Sequence, residues 1–211
     1  LPWLARTAGR PVRWTETRSE SMLALGHGRA QNQTVTIGGN RDGKVLAYRL
    51  DIVQDGGAYP AIGTILPFLT GMMAPGTYDI PKVVASSVGV VTNTTPKVAY
   101  RGAGRPEATA AIERAMDLFA AEIGMDPAEV RRRNLIGRDA FPHTTVSGAT
   151  YDVGDYAGAL DQVLAAAGYE QLRADQEARR QAAGPVQTGI VVSTYVEITN
   201  GAGDTGDFRS E

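Results

Sequence analysis

The sequence predicts an α+β fold, with strands and helices segregated along the chain. Three observations carry this: a period of two through residue 54, an apolar stripe at three- and four-residue spacing after Pro106, and a return to strand composition after Pro185. Residues 33–37 (QTVTI) and 44–54 (KVLAYRLDIVQ) read as two strands. Asn40, Arg41, Asp42 and Gly43 form a turn signal between them, with Gly43 free to take a positive φ. In the second strand Leu46, Tyr48, Leu50 and Ile52 share one face and Arg49 and Asp51 the other, the pattern of a half-buried sheet. Residues 55–60 (DGGAYP) and 74–81 are rich in turn formers, so the chain between strands is expected to be irregular or briefly helical. Residues 83–91 (VVASSVGVV) read as a third strand.

The helical half follows. Ile112, Ala115, Met116, Phe119 and Ile123 form the stripe, and Gly124 stands at the expected stop. Asp126 reads as an N-cap, with Pro127 at the first helical position and Glu129 as reciprocal acidic partner, for a helix ending near Asn134. A third helix is expected from Asp155 to Gly168, burying Tyr156, Leu160, Val163 and Leu164. Residues 169–183 read as a charged surface helix, ended by Pro185, and residues 187–198 as a final strand. No internal repeat or interdomain linker interrupts the 211 residues.

Composition removes several function classes. Lys and Arg total 21 against 23 Asp and Glu, so the basic surplus of a nucleic-acid binder is missing. No apolar stretch approaches the roughly 18 residues of a membrane span. The chain has no cysteine, which excludes disulfides, thiolate nucleophiles, cluster ligation and Cys-based zinc sites within it. Two histidines, His27 and His143, do not make a His-rich metal site. The chain opens LPWLARTAGRPVRW and closes GAGDTGDFRSE after an apolar run, and both ends read as cuts through a longer polypeptide. The missing signal peptide sets a cytoplasmic expectation.

The most informative segment is Ala99 to Glu107 (AYRGAGRPE), between a strand and the first striped helix. Free N–H groups at a helix start favour an oxyanion, and two arginines flank the turn. A dinucleotide-binding loop would need a third glycine where Glu107 stands, and a carboxylate there uses the helix dipole itself and repels a pyrophosphate. The same residues also suit a tight turn whose glycines serve only helix–sheet packing, and local pattern leaves both readings open.

The run VTNTTPKVAYRGAGRPEATAAIERAMDLFAAEIGMDPAEVRRRNLI resembles the large, molybdenum-binding subunit of the molybdenum hydroxylases: xanthine dehydrogenase, aldehyde oxidase and aerobic carbon monoxide dehydrogenase. GRPVRWTETRSESMLALGHGRAQ, DGGAYP and TYDVGDYAGALDQVL are similar to the same subunit in the same order, so the resemblance covers essentially the whole chain. It implies a mixed β-sheet with packed helices, of the molybdenum cofactor-binding type, and makes residues 1–211 a piece of that region. AYRGAGR resembles the active-site loop of the form II carbon monoxide dehydrogenase-like subgroup. The implied cofactor-binding residues are therefore Tyr100, Arg101, Gly102, Ala103, Gly104 and Arg105, presenting backbone amides beside the molybdenum centre. Gly56 and Gly57 of DGGAYP are implied as a second wall, although a strand-terminal turn explains them equally well.

The resemblance also implies departures. Carbon monoxide oxidisers carry a copper-bound cysteine in this loop, where this chain has Gly102; purine- and aldehyde-oxidising relatives carry a bulky aromatic where it has Ala103. The family's Gly-rich, Phe-containing motif lies upstream of this piece and its general-base glutamate downstream of Glu211, so no catalytic residue and no metal ligand is assigned here. The implied activity is hydroxylation of an aldehyde or N-heterocycle with oxygen from water, inactive in the piece alone. The cofactor would be molybdenum-molybdopterin cytosine dinucleotide, and the partners an FAD-binding medium subunit, an iron–sulfur small subunit and a small-molecule substrate. A non-catalytic binding or assembly module on the same fold is the competing reading.

Other candidates read as structural. Glu16, Arg18, Ser19 and Glu20 suggest a solvated segment with ion pairing, and His27 and His143 have no orienting partner in sequence. Asp204 and Asp207 lack calcium-loop spacing, and Arg131, Arg132 and Arg133 form a short basic run on a helix.

Overall fold

The computed structural model describes residues 1–197. Two short helices, α1 (Pro2–Ala8) and α2 (Arg18–Ala24), precede the sheet, and neither contains a buried residue. The cluster expected to pair ionically around Glu20 is instead a capping box. The Thr17 hydroxyl accepts the Glu20 amide at 3.3 Å, and the Glu20 carboxylate accepts the Thr17 amide at 2.7 Å.

Strands β1 (Gln31–Gly39) and β2 (Val45–Asp55) form an antiparallel hairpin, closed by the Gly43 amide donating to the Asn40 carbonyl at 3.0 Å. Gly38 pairs with Ala47 and Gly39 with Val45, so Leu46 is an extra residue in β2. That bulge reverses the expected face: Val45 is fully buried and Leu46 is 42% exposed, while Tyr48, Leu50 and Ile52 point inward as predicted. Helix α3 (Leu66–Met72) lies in the connection to β3 (Lys82–Val90), which runs parallel to β2. The result is a mixed three-stranded sheet in the order β1-β2-β3.

Helix α4 (Arg105–Ile123) carries the predicted stripe onto this sheet. Ile112, Ala115, Met116 and Phe119 join Val45, Tyr48, Leu50 and Ile52 in one core, and Gly124 ends the helix at φ 70°. In α5 (Pro127–Asn134) the Asp126 carboxylate accepts the amides of Ala128 and Glu129 at 2.8 and 3.2 Å. The expected reciprocal bond from Glu129 is absent, because its carboxylate is taken by Arg132 at 3.0 Å and Arg133 at 2.7 Å on the same helix. Asn134 ties α5 to the hairpin: its side chain accepts from the Val45 amide at 2.9 Å and donates to the Gly43 carbonyl at 2.7 Å.

Arg131, the first arginine of the short basic run, is fully buried. Its guanidinium meets Glu113 at 2.8 Å and Asp117 at 2.9 Å, and donates to the Pro127 carbonyl at 3.0 Å. Burial works to lower its pKa, but Glu113, Tyr78 and Asp117 reverse that and the net direction is upward. The other Glu113 oxygen accepts from the Tyr78 and Thr194 hydroxyls. Burial, reinforced by the Glu113 charge, pushes the Tyr78 hydroxyl up, so it stays a proton donor.

A short 3₁₀ turn at Arg138–Ala140 leads to a ribbon of β4 (His143–Thr144) and β5 (Thr150–Tyr151), then α6 (Tyr156–Ala167) and α7 (Tyr169–Gln181). Asp155 caps α6 and Gly168 ends it, as predicted. Of its four expected core residues only Leu160 is fully buried; Tyr156 and Leu164 are half-buried and Val163 is 57% exposed. The reason is that α6 leans chiefly on α5 and α7, a narrower contact than a sheet offers. Residues 187–197 are not a strand, because no strand edge among the described residues pairs with them. Side chains hold them instead: Gln176 donates to the Thr188 carbonyl at 2.9 Å, and the hydroxyls of Thr194 and Thr77 meet at 2.8 Å. Residue 198 lies outside the described residues, as do Asp204 and Asp207.

Candidate functional site

The inward face of β1 is apolar at Val35 and Ile37 and polar at its other end, where Gln31 and Gln33 replace hydrocarbon. Gln31 donates to the Thr70 hydroxyl of α3 at 2.9 Å, and Gln33 to the Glu107 carbonyl at the start of α4 at 3.3 Å. The loop from Tyr100 to Arg105 lies at this polar end, where these hydrogen bonds join β1, α3 and the first turn of α4.

The loop is a tight turn followed by a helix start. The Ala103 amide donates to the Tyr100 carbonyl at 2.7 Å and the Arg105 amide to the Gly102 carbonyl at 3.0 Å. Gly102 and Gly104 take φ of 82° and 88°, where an L side chain is strained. Gly104 also has no room for one: an added Cβ would lie 2.6 Å from Leu69 Cβ and 2.7 Å from the Thr70 nitrogen. Packing therefore explains Gly104. It does not explain the free donors, since the amides of Tyr100, Arg101 and Gly102 have no hydrogen-bond partner among the described residues.

Glu107 does what its position predicted. Its carboxylate accepts the Gly104 amide at 3.0 Å, so the first turn of α4 is already supplied with a negative charge. The same oxygen meets Arg29 Nη1 at 3.0 Å. Arg29 Nη2 donates to the Arg101 carbonyl at 2.9 Å, and its guanidinium lies 5.1 Å from the centre of the Tyr100 ring. On the other flank, Arg105 Nη1 donates to the Ala103 carbonyl at 3.1 Å. Arg105 Nε is 3.5 Å from Glu197, an ion-pair contact; it is buried and has no hydrogen-bond acceptor among the described residues.

Arg29 and Glu197 were not among the residues singled out from sequence. Arg29 and Ala30 both take positive φ, 74° and 54°, a conformation that costs a non-glycine residue of order 1–3 kcal/mol. It is held by the Gln54 side chain donating to the Arg29 carbonyl and the Asp55 amide donating to the Ala30 carbonyl, each at 3.0 Å. The glycines beside His27 are the sequence signal that could have located Arg29. A Cβ on Gly26 would lie 2.5 Å from Val98 and one on Gly28 2.5 Å from Tyr100, so both mark backbone pressed against the segment entering the loop. Glu197 left no comparable signal. The His27 ring nitrogen Nε2 meets the Met22 carbonyl at 3.2 Å, and His143 pairs with Tyr151 in the distant ribbon.

Gly56 and Gly57 reach the loop only indirectly. The Gly56 amide donates to the Val90 carbonyl and the Gly57 amide to Asp55, each at 2.8 Å, leaving neither donor free. A Cβ on Gly57 would lie 2.4 Å from the Thr95 carbonyl oxygen, so this turn packs against the segment that leads into Tyr100. The Asp55 carboxyl holds the arrangement: hydrogen bonds from Thr92, Thr94 and the Gly57 amide lower its pKa to about 2. A cleft of about 470 Å³ between the end of α4 and α7 is lined by Arg114, Asp117, Arg173 and Arg180 and does not include the loop.

The arrangement can donate hydrogen bonds without protein acid or base chemistry. Three amides and a buried cationic N–H without an acceptor among the described residues, together with a glycine surface, suit a ligand rich in oxygen, as a molybdopterin cofactor is.

The model of the molybdopterin cofactor-binding domain family matches residues 1–135. The chain is 40% identical over 200 residues to the carbon monoxide dehydrogenase large chain of Hydrogenophaga pseudoflava, covering 92% of this chain and 25% of that protein. It is 34% identical over 202 residues to the nicotine 6-hydroxylase large subunit of Paenarthrobacter nicotinovorans, covering 93% of this chain and 24% of the relative. The crystal structure of quinoline 2-oxidoreductase from Pseudomonas putida matches with a TM-score of 0.75 at 32% identity, over 85% of this chain and 23% of that one. The chain thus spans about a quarter of the length of these relatives. Its sequence and its mixed sheet under packed helices converge: the chain belongs to the molybdopterin cofactor-binding domain family.

Proposed function

We propose that this chain forms part of the large subunit of a molybdenum hydroxylase, with the loop from Tyr100 to Arg105 beside the molybdenum centre. The observation that carries this reading is the set of amides at Tyr100, Arg101 and Gly102, next to Arg105 Nε, that have no acceptor among the described residues. When bound, the cofactor supplies two-electron oxidation of a carbon atom with oxygen drawn from water. The chain's own residues bind and orient. The loop amides donate to oxygen-bearing groups of the cofactor, Arg105 adds positive charge tempered by Glu197, and Glu107 holds the turn from behind.

The reading extends to the cytosine dinucleotide form of molybdopterin, to the cytoplasm, and to flavin- and iron–sulfur-bearing partner subunits, since no cysteine here can hold a cluster. Gly102 bears no thiol for a copper, which favours carbon hydroxylation over carbon monoxide oxidation. Nicotine and quinoline, named in two of the relatives, are N-heterocycles, so N-heterocycles and aldehydes are the substrates of first choice.

The test is elemental mass spectrometry of the assembled enzyme, with acid release of its nucleotide. Near one molybdenum per chain and one equivalent of cytidine monophosphate are expected, and they justify the substrate screen. Absence of molybdenum, in a host that fills other molybdenum enzymes, overturns the catalytic reading and leaves a binding module.

A further inference from the structure

The bond between Tyr100 and Ala103, with Gly102 third at φ 82°, is the signature of a type II turn. Types I and II differ by a half-rotation of the central peptide plane, here the one joining Arg101 to Gly102. Glycine in the third position tolerates both, so the local sequence does not choose between them. Outside the turn, Arg29 does choose. Its Nη2 holds the Arg101 carbonyl at 2.9 Å. Because a trans peptide is planar, a carbonyl fixed toward Arg29 aims the Gly102 N–H the opposite way.

We propose that Arg29 is a positioning residue that selects the direction of the Gly102 amide, and thereby the loop conformer the cofactor site requires. The inference rests on the reading above, that this loop borders the cofactor. Arg29 is suited to the task because its planar fork engages two targets at once, the Arg101 carbonyl and the Glu107 carboxylate that also takes the Gly104 amide. The Tyr100 ring under the guanidinium limits where the fork can go. A lysine in its place keeps the charge opposite Glu107, but one ammonium on a flexible stem does not reproduce the paired geometry.

The experiment compares wild type, Arg29→Met, Arg29→Lys and Gly102→Ala in the assembled enzyme. It reads molybdenum content, the Mo(V) electron paramagnetic resonance signal, and kcat and KM on a substrate from the screen. In Arg29→Met the metal-containing fraction is expected to show a changed Mo(V) signal and a kcat per molybdenum lower by about 10- to 100-fold, with KM changing less. Arg29→Lys is expected to fall between, and it carries the test if Arg29→Met does not accumulate.

A residue that only stabilised the fold would lower yield or melting temperature and leave the signal of surviving enzyme unchanged, which overturns the proposal. Gly102→Ala, which strains the same turn directly, separates the two possible failures. If it shifts the signal while both Arg29 variants do not, the positioning role falls alone. If none of the three shifts it, the loop does not border the cofactor and both readings fall.

Discussion

Replacing Arg131 by methionine tests the buried charge network at the centre of the fold. The guanidinium is fully buried and makes four contacts of 2.8–3.1 Å, two of them to carboxylates. Removing it leaves Glu113, whose side chain is 7% exposed, facing only the hydroxyls of Tyr78 and Thr194. Asp117, at 26% exposure, can recover water and adds less. Breaking a buried pair in this way costs about 3–5 kcal/mol, because the remaining charge stays desolvated and uncompensated. With a urea dependence of about 2 kcal/mol per molar, the midpoint of the full chain should fall by roughly 2 M. Adding Glu113→Leu removes the stranded carboxylate, so the double variant should regain about 2 kcal/mol over the sum of the singles. Urea unfolding followed by circular dichroism measures both. A single-variant loss under about 1 kcal/mol, or strict additivity in the double, refutes the argument that Glu113 is trapped away from water.

Two further outcomes follow from the loop and its neighbours. Asp55 has a folded pKa lowered to about 2, so its contribution to stability is fully present above about pH 4 and is lost as pH falls through the folded value. Asp55→Asn should therefore flatten the pH dependence of unfolding between those limits, and an unchanged slope in the variant contradicts the assignment. Gly104→Ala combines φ 88° with a 2.6 Å collision against Leu69, whereas Gly124→Ala faces φ 70° with nothing within 4 Å. Thermal melts should show a loss of about 1 kcal/mol for Gly124→Ala, the cost of left-handed backbone alone, and at least about 2 kcal/mol for Gly104→Ala.

Local signals read well wherever one segment decided its own structure. The α4 stripe, the Gly124 stop, the Asp126 and Asp155 caps and the turn at Gly43 all depend on side chains within a few residues of one another. Glu107 belongs with them, since a carboxylate three residues beyond the helix start reaches back to the Gly104 amide whatever the rest of the chain does. The loop was singled out for a different reason: the seven-residue run AYRGAGR resembles a known family's loop, although its glycines alone did not tell ligand binding from packing.

What the tertiary structure decided were questions of partnership. Alternation in β2 could not show that one residue is extra, because a bulge exists only relative to the opposing strand. Residues 187–197 have strand composition but pair with no strand among the described residues, and they are held by a side chain of α7 and by the Tyr78–Glu113 network. Nothing in the basic run marked Arg131 as buried, because its acidic partners, Glu113 and Asp117, lie on another helix. Arg29 reaches Arg101 and Glu107 across more than 70 residues of chain, and Glu197 meets Arg105 from beyond α5, β4, β5, α6 and α7. Sequence by itself determined the principal strands and helices through α6 and the family. The direction in which the loop from Tyr100 to Arg105 points its amides was set only when distant residues closed around it, because a peptide plane is turned by the groups that hold its carbonyl.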